Sequence, residues 1–195
     1  MNKRKVNLQK NKFVSSRSSK QKINKNKRTE SSRKWISRQL NDPYVSEAQK
    51  RGFRSRSAFK LLQINEKFNL LKSGMAIIDL GCAPGGWLQV MSEIINKDNK
   101  GKIIGIDLLE TDALPNVKIL VGDINDAEII EQVNIFFGDV KVNGVVSDMA
   151  ADTTGHKPTD HIRTTMLLEV AIEIAFDFLK EGGFFLGKCF KGGTE

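Results

Sequence analysis

Residues 79–87 (DLGCAPGGW) decide the fold of this 195-residue chain. They begin at the end of a short apolar run, residues 75–80, and lead directly into an amphipathic stretch at residues 87–95. This order indicates a turn from a buried strand into a helix. Glycines in such a turn allow tight bends and let a ligand approach the main chain closely. The stretch therefore predicts a strand, a ligand-binding loop and a helix in succession.

The same alternation continues along the chain. Further strands are predicted at residues 102–108, 117–121, 142–148 and 184–190, and further helices at about 42–52, 55–68, 127–137 and 161–179. The pair Gly182-Gly183 is expected to end the last helix. Strands that alternate with helices predict an α/β fold, a mainly parallel sheet with helices on both faces. Ligands in such sheets bind beyond the carboxyl ends of the strands, so polar residues there are candidates for the site.

Charge divides the chain into two parts. Residues 1–40 carry 14 Lys or Arg and one acid, whereas the remainder has 17 basic and 22 acidic residues. The first part has no apolar periodicity, so we expect a disordered basic tail at 1–40 and a folded domain at 41–195. A tail of this charge suits a nucleic acid. Plain solubility and an organellar transit peptide remain alternatives.

Composition also bears on the class of protein. The chain has only two cysteines, Cys82 and Cys189, which cannot form a disulfide framework or a zinc cluster and favour a reducing compartment. Its apolar runs are shorter than the ~18 residues of a membrane helix. His156 and His161 are an isolated pair that is more typical of exposed histidines than of a metal site. We expect a cytoplasmic protein without a membrane partner or a bound metal.

The loop at 79–87 differs from a dinucleotide-binding fingerprint. Ala83 stands where that fingerprint has its second glycine, and the Gly85-Gly86 pair follows a proline. Asp79 disfavours a bound phosphate and is better suited to an ammonium group. S-adenosylmethionine has an amino group and an adenosine but no phosphate, so it is the expected cofactor. A purely structural turn and a Rossmann oxidoreductase are the alternatives.

Three more acids end the following strands. Asp107 is placed to accept hydrogen bonds from ribose hydroxyls, and Asp123 to accept one from the amino group of an adenine. Asp148 ends the fourth strand. Each of them alone could cap a loop, but acids at four successive strand ends favour a ligand site.

Two basic features complete the candidate site. Lys188 lies among apolar residues, which disfavour its charged form, while Asp148 on the adjacent strand favours that form, so Lys188 could act as a general base toward a hydroxyl. It could also be an edge-strand lysine that prevents aggregation. A basic cluster precedes the first strand and consists of Lys50, Arg51, Arg54, Arg56 and Lys60. It is either a solvated face or a patch that grips phosphates.

Together these motifs resemble the FtsJ-like ribosomal RNA methyltransferases, specifically the large-subunit methyltransferase E group. The resemblance rests on residues 54–61 (RSRSAFKL), 79–87, 107–109 (DLL), 147–150 (SDMA) and 187–190 (GKCF). It implies a Rossmann-like, S-adenosylmethionine-dependent fold. It also implies methylation of the 2′-oxygen of a uridine in large-subunit ribosomal RNA, and we expect a monomer that acts on that RNA or on the large ribosomal subunit.

The resemblance also implies roles for individual residues. The cofactor residues would be Gly85, Trp87, Asp107, Asp123 and Asp148, and the catalytic residues Lys60, Asp148 and Lys188, with Lys188 as proton acceptor. A fourth catalytic residue, a glutamate on a later strand, has no counterpart up to Glu195. We therefore expect a domain that lacks the family's last strands, and a non-catalytic fragment that binds RNA and S-adenosylmethionine is the alternative.

Overall fold

The computed structural model describes residues 42–138, 140–151 and 154–189. The predicted tail at 1–40, and Phe190 and Glu195 at the other end, lie outside the described residues. The helices are α1 (Pro43–Arg51), α2 (Ser57–Phe68), α3 (Gly86–Ile95), α4 (Ala127–Phe137) and α5 (Lys157–Phe178). The strands are β1 (Ala76–Leu80), β2 (Lys102–Asp107), β3 (Val117–Val121), β4 (Val142–Ser147) and β5 (Leu179–Gly187).

Helix α1 begins and ends as its sequence predicts. The Asp42 side chain accepts a hydrogen bond from the Tyr44 N–H, and Pro43 occupies the first turn, where a missing N–H costs nothing. Gly52 takes a left-handed conformation with φ of 80°, and its N–H bonds back to the last turn. A side chain would strain this backbone, so glycine suits the end of the helix.

The five strands form one parallel sheet in the order β3-β2-β1-β4-β5. Leu80 at the end of β1 pairs with Ile106 of β2 and Ser147 of β4, and Ser147 pairs with Gly187 of β5. This register brings the residues that follow each strand to the same edge of the sheet. The predicted α/β fold is confirmed.

Successive side chains along a strand point to opposite faces of the sheet and pack into two separate hydrophobic cores, as expected for strands buried on both faces. Ile77 packs with α1, α2 and α3, where Phe59, Trp87 and Met91 are buried. Ile78 packs on the opposite face with α4 and α5, which bury Val133 and Phe178. Helices therefore cover both faces of the sheet, as predicted.

Helix α5 ends within one residue of its predicted end, but β5 begins earlier than predicted. Helix α5 ends at Phe178, and Gly182-Gly183 lies inside β5 rather than at the helix end. Val142 pairs with Leu179, but Gly144 pairs with Phe184, so β5 carries extra residues that bulge from the ladder. Gly182, with φ of 72°, supplies the left-handed turn that the bulge requires.

Helix α5 also begins earlier than predicted, at Lys157, with Pro158 in its first turn. The carboxylate of Asp160 accepts hydrogen bonds from Thr154 and Gly155, which fixes the loop that enters the helix. Across the described parts of the chain, no helix combines the length and apolar character that a bilayer crossing demands.

Candidate active site

A cavity of about 360 Å³ opens at the carboxyl ends of β1 to β4. This volume is typical of a site for a small molecule. It is lined by main chain and side chains of four loops: Leu80, Gly81, Ala83, Ile106, Asp107, Leu108, Leu109, Gly122, Asp123, Ile124, Asn125, Asp148, Met149, Ala150, Leu167 and Val170. The three predicted acids Asp107, Asp123 and Asp148 form what we call the acidic wall, and apolar residues provide most of the remaining surface.

The loop after β1 requires glycine at two positions. Gly81 has φ of 74°, and a Cβ there would lie 2.5 Å from Met149 Cγ and 2.9 Å from Met149 Cα. Gly85 has φ of 101° and precedes the first turn of α3. The loop can therefore pass close to the end of β4 at Gly81 only because this residue has no side chain.

Asp107 joins the two loops on either side of the cavity. Its Oδ2 accepts a hydrogen bond from Ala83 N at 2.9 Å, and its Oδ1 accepts one from Leu109 N at 2.9 Å. A carboxylate has about four acceptor positions, so lone pairs remain for a ligand. The geometry suits the predicted contact with ribose hydroxyls, since the carboxylate is fixed before a ligand arrives.

Asp123 is more exposed and less firmly held. Its Oδ1 accepts hydrogen bonds from the backbone N and the side-chain Nδ2 of Asn125, at 2.9 and 2.8 Å. These bonds stay within one turn. Asp123 therefore lines the cavity as predicted, but its position depends on its own loop alone.

Lys188 and Asp148 lie together at the end of the sheet. Lys188 Nζ donates a hydrogen bond to the Asp148 carbonyl oxygen at 2.6 Å and lies 3.0 Å from Asp148 Oδ1. The carbonyl takes the aligned hydrogen bond, while the carboxylate oxygen is held by charge without such alignment. Both side chains are about four-fifths buried, at 20% and 19% exposure. The neighbouring pair expected from the sequence is thus present beside the cavity.

The structure does not bring Lys60 into this pair. Lys60 lies on the exposed surface of α2 and does not line the cavity. Within the described ranges it makes no hydrogen bond or ion pair with Asp148 or Lys188. Its catalytic role stays a prediction.

Trp87 and Gly85 are likewise outside the cavity lining. The Trp87 side chain is buried, and its Nε1 donates a hydrogen bond to the Ser57 carbonyl at 2.9 Å. This bond fastens α2 to α3. The side chain of Trp87 therefore stabilises the packing of the helices next to the site. Direct contacts of Trp87 and Gly85 with a cofactor stay predictions.

Asp79 does not line the cavity, although the sequence predicts that it would contact an ammonium group of the ligand. It is fully buried in β1, and neither carboxylate oxygen has a hydrogen-bond partner among the residues described. Burial, and then the charges of Asp148 and Asp107, raise the pKa of Asp79 well above its ordinary value, which favours the neutral acid. Burial also raises the pKa of the Cys82 thiol, so this cysteine is a poor nucleophile.

Three members of the basic cluster have partners inside the protein. Arg51 pairs with Glu47 at 2.7 Å, and its guanidinium lies 5.4 Å from the centre of the Phe59 ring. Arg56 pairs with the Asp42 carboxylate at the start of α1. Arg54 donates to two backbone carbonyls. The cluster is therefore not a uniform patch of solvated cations.

Of the two histidines, His156 has an assigned side-chain contact, and His161 Nδ1 has no hydrogen-bond partner among the described residues. His156 Nδ1 lies 2.8 Å from Thr159 Oγ1, next to the start of α5. His161 follows in the first turns of that helix. In the described part of the chain, no three His, Cys, Asp or Glu side chains are grouped as metal ligands.

Sequence considerations did not identify the apolar walls of the cavity, chiefly Leu109, Ile124 and Met149. Each of them lies one or two residues beyond a predicted strand-end acid. That proximity is the signal that could have found them.

Comparison with known proteins agrees with the geometry. The sequence profile of the FtsJ-like methyltransferase family matches residues 53–195. Proteins named ribosomal RNA large subunit methyltransferase E from Brucella ovis and Brucella abortus are 52% identical over 167 residues, which cover 85% of this chain and 69% of theirs. A crystal structure assigned to a ribosomal RNA methyltransferase of Plasmodium falciparum superposes with a TM-score of 0.68. That structure is 32% identical, over 72% of this chain and 80% of its own.

These matches confirm the resemblance that the motifs indicate and the Rossmann-like methyltransferase fold. The profile match covers the sheet, the acidic wall and the Lys188–Asp148 pair. The chain belongs to the FtsJ-like methyltransferase family.

Proposed function

We propose that this protein transfers the methyl group of S-adenosylmethionine to the 2′-hydroxyl of a uridine in large-subunit ribosomal RNA. The observation that carries the proposal is the Lys188–Asp148 pair, with Nζ 3.0 Å from the carboxylate, at the edge of a cavity bounded by acids. A lysine held in this way can act as a general base and accept the proton of a hydroxyl group.

The acidic residues and the volume of the cavity support the proposed cofactor. Asp107 has its two oxygens fixed by backbone N–H groups and retains lone pairs for vicinal hydroxyls. The acidic wall disfavours a ligand that carries phosphates and suits one that carries an ammonium. When bound there, S-adenosylmethionine would supply a methyl group activated by a sulfonium. The residues of this chain then only have to orient the acceptor and take its proton.

The contacts of Lys188 support a role in taking that proton. As a neutral amine it would donate one N–H to the Asp148 carbonyl, 2.6 Å away, which leaves a second N–H and the lone pair on nitrogen. The lone pair is then available to the ribose hydroxyl. The proton moves from that hydroxyl to Nζ, and the Asp148 carboxylate stabilises the ammonium that forms.

The RNA assignment rests on the relatives and on the charge of the chain. The relatives are named as methyltransferases of large-subunit ribosomal RNA. In this chain, residues 1–40 carry 14 cations and a single acid, which suits a polyanionic partner. Lys60, exposed on α2, would help to orient the hydroxyl once RNA is bound.

Product analysis tests the proposal. Unmethylated large-subunit RNA, as bare RNA and as assembled subunits, would be incubated with the protein and methyl-labelled S-adenosylmethionine and then digested to nucleosides. We expect the label in 2′-O-methyluridine. Label on a base would contradict the proposal, and binding of both partners without transfer would favour the non-catalytic alternative.

A further inference from the structure

Arg54 belongs to the basic cluster, yet its guanidinium is engaged within the protein. Nη1 donates a hydrogen bond to the Asp112 carbonyl at 2.7 Å, and Nη2 donates one to the Ala113 carbonyl at 3.1 Å. Both carbonyls belong to the loop after β2, which we call the 108–113 loop. Leu108 and Leu109, at the start of this loop, line the cavity.

On its way to these carbonyls, the Arg54 side chain crosses the loop after β1. A Cβ built on Gly85 would lie 2.6 Å from Arg54 Nη1 and 3.2 Å from Arg54 Cδ. The same Cβ would lie 3.2 Å from Thr111 Cγ2. The guanidinium is therefore packed against the main chain at Gly85, between the two loops that border the cavity.

The backbone of Arg54 is also fixed. Its N–H donates to Gln89 Oε1 at 2.7 Å, and Gln89 Nε2 donates to the Gly52 carbonyl at 2.9 Å. Gln89 lies on α3 and is only 8% exposed, so both of its hydrogen bonds are sheltered from water. The arginine stem thus starts from an anchored position rather than from a mobile loop.

The chemistry of the contact suits arginine in particular. The planar guanidinium presents several N–H donors in a fixed fork, which can reach two successive carbonyls at once. A lysine ammonium at the same position would be a single charge on a flexible stem. In Arg54 two of these donors are on the carbonyls of the 108–113 loop and the side chain packs on Gly85, so the guanidinium is oriented toward the cavity loops.

We propose that Arg54 is a positioning residue for the cofactor and not an RNA-phosphate contact. It holds the 108–113 loop against the turn at Gly85. Asp107 ties the same two loops from the other side, through Ala83 N and Leu109 N. Arg54 thereby keeps Asp107 and Leu109 in place on the cavity wall. This inference rests on the proposed use of the cavity for S-adenosylmethionine.

The test compares Arg54→Ala and Arg54→Lys with wild type and with Arg56→Ala. Arg56 is a matched control because it is exposed and pairs with Asp42, away from both loops. Calorimetry with S-adenosylhomocysteine measures cofactor-site affinity, filter binding measures RNA affinity, and hydrogen exchange of the 108–113 amides measures loop fixation without any ligand. Thermal melting checks that each variant is folded.

We expect both Arg54 variants to bind S-adenosylhomocysteine about ten-fold more weakly, as for the loss of charge-assisted hydrogen bonds. The KM for S-adenosylmethionine should rise with kcat little changed, and the 108–113 amides should exchange faster. RNA affinity should stay at the wild-type value. Arg56→Ala should leave the affinity for S-adenosylhomocysteine unchanged.

Unchanged S-adenosylhomocysteine affinity and unchanged loop exchange would overturn the inference, as would weaker RNA binding with intact S-adenosylhomocysteine binding. If wild type itself binds no S-adenosylhomocysteine, the proposed function fails, and the exchange rates of the ligand-free proteins decide the role of Arg54. Should Arg54→Ala not fold, Arg54→Lys, which keeps the charge and the stem, decides the question.

Discussion

The acidic wall and the basic cluster use their charges differently. In the acidic wall, Asp107 is fixed by two backbone N–H groups and still has acceptor positions directed at the cavity. In the basic cluster, Arg54 and Arg56 have their guanidinium groups on protein oxygens. A charged side chain thus indicates a ligand only when its internal partners leave some of its bonding capacity unused.

Apart from Lys188 itself, the largest effect should come from Asp148, the acid that joins the wall to Lys188. Asp148→Asn keeps the backbone carbonyl bond to Lys188 and removes only the charge that stabilises the protonated lysine. We expect kcat to fall by about 10²- to 10³-fold, within the range of acid–base catalysis. Steady-state methylation at saturating cofactor measures the change, and a fall of less than two-fold would remove Asp148 from the proton transfer.

A smaller loss should follow from crowding the loop that faces the wall. Gly81→Ala places a Cβ against the Met149 backbone at positive φ, and we expect about 2–3 kcal/mol of destabilisation in urea unfolding. Gly138→Ala is the matched control, because Gly138 has φ of 69° and open space around it. Its cost should be about 1 kcal/mol, from backbone strain alone. Equal costs would show that the approach to Met149 is unimportant.

Within the wall, Asp107 and Asp123 should differ in their effect on ligand binding. Asp107 bridges two loops, whereas Asp123 bonds only to Asn125 in its own turn. We expect Asp107→Ala to weaken S-adenosylhomocysteine binding about 30-fold, and Asp123→Ala only about three-fold. Calorimetry measures both values. The reverse order would mean that exposure and loop bridging do not set their importance.

The mildest change concerns Asp79, a fully buried acid whose two carboxylate oxygens have no hydrogen-bond partner among the described residues. Its pKa is raised above the ordinary value of 3.8 by burial, so the folded state retains a proton that the unfolded state has lost. As pH rises above about 4, the free energy of unfolding of wild type therefore falls until the folded pKa is passed. Asp79→Asn mimics the neutral acid and should lack this fall.

Urea unfolding at several pH values between 4 and 8 checks the prediction for Asp79. The stability of Asp79→Asn relative to wild type should increase with pH across this range. Parallel profiles for the two proteins would show that Asp79 titrates normally in the folded state.

Much of the fold follows from the sequence because its signals are local. The strand at Val117–Val121 and the helix at Ala127–Phe137 have the predicted bounds, since apolar periodicity and flanking polar residues define both of them. The start of β5 could not be predicted in this way. Gly182-Gly183 resembles a helix stop, but pairing with β4 places it in a bulged strand.

The candidate site also has features that the sequence predicts and features that it does not. The strand-end acids were predicted because parallel strands carry their carboxyl ends to one edge. The bonds of Arg54 could not be predicted, because its partners Gln89, Asp112 and Ala113 lie 35, 58 and 59 residues away in sequence. Only the packed structure shows that the Arg54 side chain donates its hydrogen bonds to a loop that borders the cavity.

The most direct test of the account is single-turnover methyl transfer by Lys188→Ala with saturating S-adenosylmethionine and RNA. Lys180→Ala is the control, because Lys180 is exposed and lies at the start of β5, whereas Lys188 follows the end of that strand. We expect the transfer rate of Lys188→Ala to fall by about 10³-fold while S-adenosylhomocysteine affinity is retained, and Lys180→Ala to match wild type. A wild-type transfer rate in Lys188→Ala would contradict the assignment of Lys188 as the proton acceptor.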